Sequence, residues 1–191
     1  MNGKSFFAMA SRMKYINRWG LMRNTSQENI SQHSLEVAMI AHALAVINND
    51  IFGGDVSPEK TAVVAMYHDM SEIITGDMPT PVKYKNEQII SVYKEIETAA
   101  NNKLLQKLPQ NFREVYEKIL FCEDEKINKL VKAADKISAY IKCIEEENAG
   151  NREFHKALAA TEKSLEKMDC HEADYFMEHF IPAYKLTLDE I

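Results

Sequence analysis

Residues 30–45 read ISQHSLEVAMIAHALA, and the fold turns on them. At 100° per residue, Leu35, Ala38, Met39, Ala41, Ala45 and, one step further, Val46 leave little of the circumference polar, which predicts a largely buried helix. Ser31 is its expected N-cap, and the run ends near Phe52-Gly53-Gly54. A buried helix needs others wrapped round it, and helical spacing recurs on both sides. Upstream, residues 4–17 set Phe6, Phe7, Ala10 and Met13 on one stripe before a break at Gly20 and the polar loop NTSQEN, 24–29. Downstream, Ser57-Pro58 supplies an N-cap and a proline at the first helical position, starting a helix through Ala62, Val63, Ala65 and Met66 to about His68-Asp69. GDMPTP, 76–81, then stops regular structure. Helical patterns resume over 84–107, end before Pro109, return over 111–121, run from an Asp124 cap to Gly150, and finish as 152–167 and 171–180. Without a convincing alternating strand or a Ser/Gly/Pro-rich linker, the expectation is an all-α chain forming one domain.

Composition agrees. Of 191 residues 46% are hydrophobic, enough for a sizeable core, and six Gly with five Pro is about half the usual share of that pair. The many tight turns of a sandwich or barrel are therefore poorly supported. A net charge of −6 argues against affinity built on neutralising many nucleic-acid phosphates, while leaving room for one small anion at a local cationic site. Apolar runs are broken short of the ~20 residues that span a bilayer, and the N-terminus lacks an apolar signal core, so a soluble, cytoplasmic protein with no membrane partner is expected. Cys122, Cys143 and Cys170 form no close-spaced pair and read as reduced thiols.

The chemistry-bearing candidates begin with His68-Asp69, at the end of an apolar helix, and Glu72, which shares their face one turn later. Adjacent helical residues point about 100° apart, so both reach one metal only where a helix ends or two helices meet. His33 lies in the first turn of the apolar helix. Asp135 flanks the stripe Ile127, Leu130, Ala134, Ile137 and Ile141, where an unpaired carboxylate is costly to bury. Two imidazoles and two carboxylates make a mixed N/O set suited to a divalent transition ion. The residues alone more readily give a capping His33, a satisfied core His68 and an Asp135 paired with Lys132 or Lys136 on the surface. Arg18-Trp19 by itself reads as a helix-end packing pair, and GDMPTP as an ordinary loop. His42, nine residues from His33, faces away from that side. His155, His171 and His179 sit among acidic residues on solvated faces, and Glu145-Glu146-Glu147 reads as a charged helix end.

The order His33, His68-Asp69, Asp135 resembles the H…HD…D signature of HD-domain metal-dependent phosphohydrolases. INRWGLMRN (16–24), ISQHSLEVAMIAHALA (30–45), AMYHDMSEIITGDMPTPVKY (65–84) and VKAADKISAYIKCIEE (131–146) resemble, more narrowly, the bacterial HD-domain 5′-deoxynucleotidases, with DYFME and LTLDEI the closest parts of the tail. The resemblance implies a single HD-domain helical bundle over 1–191, with a metal-site core at about 28–150 and C-terminal helices 151–191 packed on it. It implies that His33, His68, Asp69 and Asp135 bind one divalent metal, cobalt or manganese, and that Glu72 is a catalytic carboxylate. Arg18 would orient the substrate phosphate and Trp19 pack near the sugar. Asp77, Met78, Pro79 and Thr80 would close over the nucleotide, Asp77 with a share in catalysis, while His68 and Asp135 also touch substrate. The implied reaction removes the 5′-phosphate from deoxyribonucleoside monophosphates in a homodimer. Other HD phosphohydrolase substrates, or a catalytically silent nucleotide-binding module, are the rivals.

Overall fold

The computed structural model describes residues 4–83 and 85–191. Its helices are α1 (Phe6–Ala10), α2 (Ile30–Asp50), α3 (Pro58–Met66), α4 (Glu72–Thr75), α5 (Thr80–Lys83), α6 (Glu87–Leu105), α7 (Gln110–Leu120), α8 (Glu125–Asn148), α9 (His155–Glu166) and α10 (His171–His179). Short 3₁₀ turns occupy Ser11–Tyr15, Arg152–Phe154 and Ile181–Lys185. No strand occurs among the described residues, only an isolated bridge between Asn17 and Asn29, so the all-α expectation holds. The helix expected to resume at Tyr84 has that start outside the described residues; α6 begins at Glu87, capped by Asn86, whose side chain accepts from the Ile89 N–H.

The chain divides into two compact units. One comprises residues 4–23, 27–34 and 67–122, the other 24–26, 35–66 and 123–191.

In the first unit Phe6, Met70, Leu104, Leu105 and Leu108 form the buried core, ringed by Met9, Ala10, Tyr67, Ile73, Tyr116, Leu120 and Phe121. Phe6 meets Tyr116 edge-on at 4.9 Å, and Tyr67 meets the same ring at 5.8 Å. Burying a side chain such as Phe6 contributes about 1.5–3 kcal/mol. The expected stripe over 4–17 needs one correction. Phe6 and Met13 are buried, but Phe7, 100° round from Phe6, is exposed, and the helix tightens to 3₁₀ at Ser11, whose hydroxyl donates to Phe7 O at 2.9 Å.

The second unit is organised on α8. Asp124 Oδ1 accepts from the Lys126 and Ile127 N–H groups, as expected of an N-cap. Ile127, Leu130, Ala134, Ile137 and Ile141 are all buried, against a neighbourhood of α3, α9 and α10. Ser57 Oγ accepts from Lys60 N–H at 3.2 Å and caps α3, whose first residue is Pro58, as expected. Asn49 closes the turn before it, donating to Val56 O at 2.7 Å and accepting from Val56 N–H at 2.8 Å.

Two further expectations about α2 are corrected. Its N-cap is Asn29, not Ser31: Asn29 Oδ1 accepts from Ser31 and Gln32 N–H, while Gln32 Oε1 accepts from Asn29 N–H at 3.1 Å. This is a reciprocal capping box, with Gln at the third helical position. The helix is also less fully buried than its sequence suggests, since Leu35 is 56% and Met39 60% exposed beside buried Val37, Ala38, Ile40, Ala41, Leu44 and Ala45. Among the described residues α2 alone is long and apolar enough to cross a bilayer, yet 56% of its most apolar window is buried in protein, as in a core helix. Cys122, Cys143 and Cys170 form no disulfide among the described residues.

Candidate active site

The first unit gathers most of the predicted site residues. Its foundation is a short antiparallel pairing in which Arg18 N–H donates to Glu28 O and Ile30 N–H to Ile16 O, both at 2.9 Å. This brings Arg18 and Trp19 beside the Glu28 side chain. Glu28 Oε2 accepts from Arg18 Nε at 3.1 Å and from Trp19 Nε1 at 2.9 Å. Trp19 adopts φ 58°, in the left-handed region that a bulky side chain rarely enters and that costs of order 1–3 kcal/mol. Met22 N–H closes a turn onto Trp19 O at 2.9 Å.

His33, in the first turn of α2, is 1% exposed. Its Nδ1 is 3.9 Å from Glu28 Oε1 and its Nε2 3.5 Å from Asp69 Oδ2. The helix carrying the His-Asp pair ends at Met66, two residues before His68, and residues 67–71 turn tightly, with Met70 N–H on Tyr67 O and Glu72 N–H on Asp69 O. The fully buried Met70 anchors that turn. A helix end was the condition for His68 and Asp69 to face one point. His68 Nε2 lies 3.2 Å from Asp69 Oδ2, and Arg18 Nη1 donates to the same oxygen at 3.3 Å. The rings of His33 and His68 are 5.3 Å apart, with a potential ligand nitrogen of each within 4.8 Å of the other.

These neighbours set the charge states. Burial alone would raise the Asp69 pKa, but His68, with His33 and Arg18, outweighs it and holds the carboxyl well below its usual range. Glu72, at the start of α4, goes the other way. Burial, then the negative charges of Asp69 and Asp77, push it up to about 9 despite Arg18 and Lys83. It is 5% exposed, and its Oε2 has no hydrogen-bond partner among the described residues. Asp77 is also raised, chiefly by burial, with Arg18 opposing and Asp69 reinforcing.

Gly76, at φ 76°, lets the chain leave α4, and Asp77, Met78 and Pro79 form a half-buried loop before Thr80 opens α5. Pro79 O accepts from Val82 and Lys83 N–H, and Lys83 Nζ reaches Glu97 on α6 at 2.8 Å, tying down the far end. Asp135 belongs to the second unit, half-buried on α8. Burial pushes the ammonium of its neighbour Lys136 below the usual range, with Asp135 partly countering. His42, His155, His171 and His179 are exposed, as expected.

Two residues were missed. Glu28 sits in what reads as a polar loop, and no helical or strand period links it to Arg18-Trp19 ten residues earlier. Glu146, read as part of a charged helix end, is 1% exposed; it bonds Thr25 N–H and Oγ1 and Asn151 Nδ2 and pairs with Lys142, which also donates to Ser26 O. Its i,i+4 Lys partner was the available signal.

The all-α scaffold is shared with solved HD phosphohydrolases. One from Listeria innocua superposes with a TM-score of 0.82 at 22% identity, covering 94% of this chain and 88% of that one. The cyanophage S-2L HD phosphohydrolase DatZ, solved with dA and one catalytic Zn²⁺, gives a TM-score of 0.68 at 19% identity over 94% and 96%. At these identities the likeness is one of fold. Sequence is more specific: residues 5–184 match the YfbR-like 5′-deoxynucleotidase family, and the chain belongs to it. Its relatives include the 5′-deoxynucleotidase of Cronobacter sakazakii, 52% identical, and 5′-deoxynucleotidase YfbR of Escherichia coli strain ATCC 8739, 51% identical, each over all of this chain and 97% of the relative.

Proposed function

We propose that the protein is a metal-dependent hydrolase that converts deoxyribonucleoside 5′-monophosphates to deoxynucleoside and phosphate and selects against ribonucleotides. The observation that carries the reading is the convergence of Arg18 Nη1, His33 Nε2 and His68 Nε2 on Asp69 Oδ2, with the buried Glu72 carboxyl close enough to be raised by Asp69. His33, His68, Asp69 and Asp135 would hold one divalent ion. A buried His33 and half-buried His68, Asp69 and Asp135, with the Asp69 carboxyl held in its ionised form by its His68, His33 and Arg18 neighbours, fit that role. Such an ion, cobalt or manganese in this reading, would supply Lewis acidity and positive charge there, which would favour the ionised form of Glu72.

The chain's own residues do the rest. Arg18 offers a planar fork to the phosphate and offsets charge as the P–O5′ bond breaks. Glu72, buried and with one oxygen unbonded among the described residues, takes a proton from the attacking water. Asp77, whose raised pKa suits it to carry a proton, delivers one to the leaving 5′-oxygen. Trp19 lies along the sugar, where a 2′-hydroxyl would be crowded and unpaired. Met78, Pro79 and Thr80 close over the nucleotide, and His68 and Asp135 contact it. The whole chain acts as one HD domain, supported by the family match from 5 to 184, in a cytoplasmic homodimer, for which exposed Leu35 and Met39 are the support.

The test strips the protein with chelator, restores Co²⁺, Mn²⁺, Mg²⁺ or Zn²⁺ singly, and measures phosphate release from matched deoxy- and ribonucleoside 5′-monophosphates. Release from the deoxy substrate with at least one metal is expected, at a rate well above the ribo substrate. Equal rates overturn the selectivity, and no release with any metal overturns the activity. His33→Ala is expected to lower bound metal sharply, read by elemental analysis.

A further inference from the structure

We propose that Glu28 is a positioning residue for nucleotide recognition, a single carboxylate that holds the guanidinium of Arg18 and the indole of Trp19 in register and biases the imidazole of His33. The inference rests on the function proposed above. Glu28 Oε2 is shared by Arg18 Nε at 3.1 Å and Trp19 Nε1 at 2.9 Å, while Oε1 faces His33 Nδ1 at 3.9 Å. The carboxylate is half-buried, so these contacts are made in a poorly solvated place where charge-assisted hydrogen bonds are strong.

Each contact has a distinct consequence. A guanidinium recognises phosphate only if its plane is fixed, and Arg18 is fixed at two corners, by Glu28 through Nε and by Asp69 through Nη1. The indole of Trp19 stands on a left-handed backbone, a conformation that persists only where surrounding contacts over-determine it. Glu28 supplies two of those contacts, its main-chain O to Arg18 N–H and its side chain to the indole N–H. For His33 the distance is too long for a hydrogen bond, but a carboxylate on that side favours the tautomer with its proton on Nδ1, which turns the Nε2 lone pair toward Asp69. Without Glu28 the same groups are present, but the part of their ordering that it supplies must be met when substrate binds.

Trp19 is the chain's one tryptophan, so its fluorescence reads the proposed contact without reference to activity. In Glu28→Ala, Trp19 emission is expected to shift and its quenching by acrylamide to rise. KM for a deoxynucleoside 5′-monophosphate should rise roughly 10- to 100-fold, the scale of losing charge-assisted hydrogen bonds, with a smaller change in kcat, and the deoxy-to-ribo ratio of kcat/KM should narrow. Glu28→Gln keeps an oxygen acceptor between Arg18 and Trp19, so its emission and sugar ratio should stay near those of the parent protein, with an intermediate KM. Should Glu28→Ala fail to fold, Glu28→Asp, which withdraws the carboxylate by one methylene, takes its place with the same readouts. Wild-type emission, KM and sugar ratio in the truncated variant overturn the proposal. So does loss of thermal stability with no change in KM or sugar ratio, the outcome of a purely structural role. A parent protein that releases no phosphate removes the functional reading instead, and Trp19 emission and quenching then still decide whether Glu28 holds the indole.

Discussion

Glu72 in one unit and Glu146 in the other are both almost wholly buried, at 5% and 1% exposure, yet their environments drive them in opposite directions. Glu146 would be raised by burial, but Lys142, Asn151 and Thr25 more than offset that and hold it well below the usual carboxylate range. Glu72 has an oxygen with no partner among the described residues, faces two other carboxylates, and is pushed up to about 9. Depth of burial is therefore no guide to role. What separates a buried carboxylate held ionised from one held protonated is how many donors surround it.

Six substitutions test that contrast. The largest effect is expected for Glu72→Gln, which should lower turnover about 10²- to 10⁴-fold, the range for losing a general acid or base. Its melting temperature at neutral pH should stay close to the parent's, because the parent Glu72 already carries a proton there in chelator-treated protein. Near-normal phosphate release would remove Glu72 from the chemistry. Glu146→Ala should do the reverse, costing about 3–5 kcal/mol in denaturant unfolding because it strands Lys142 in a buried place. A loss below 1 kcal/mol would mean that water replaces the network.

Smaller still is the acid response. A carboxyl whose folded pKa is depressed contributes stability above its unfolded value, near 4.5 here, and loses it as pH falls toward the folded value. Glu146→Gln should flatten the decline of melting temperature below about pH 4.5, and an unchanged acid limb would count against the assignment. Smallest of all, alanine at His155, His171 or His179 should change stability by no more than about 0.5 kcal/mol, as for exposed residues generally, and should leave bound metal unchanged.

The helices were legible where local chemistry decides them. Asp124 and Ser57-Pro58 each act through their own neighbours in sequence, and the structure keeps both; the expected Gly76–Pro81 break holds only over residues 76–79, since Thr80 and Pro81 open α5. The exchange of Ser31 for Asn29 as N-cap is a two-residue shift between equally suitable cap types, resolved by the reciprocal bond from Gln32. Periodicity failed at Phe7, Leu35 and Met39, since it shows that a residue is apolar but not whether anything covers it. Glu28 and Glu146 were illegible for a different reason. Their partners lie at Arg18-Trp19 and Thr25-Ser26, separations of 10 and about 120 residues that no helical or strand period spans. His33 and His68-Asp69 do converge in the first unit, whereas the role of Asp135 rests on resemblance.

The left-handed backbone at Trp19 also shapes which sequences could replace this one. Glycine or asparagine there would relieve the local conformation while discarding the indole, so the same step improves folding and removes the group proposed to read the sugar. On the proposed role of Trp19, a stability screen run without a ribonucleotide counter-selection would therefore drift toward a sturdier and less discriminating enzyme.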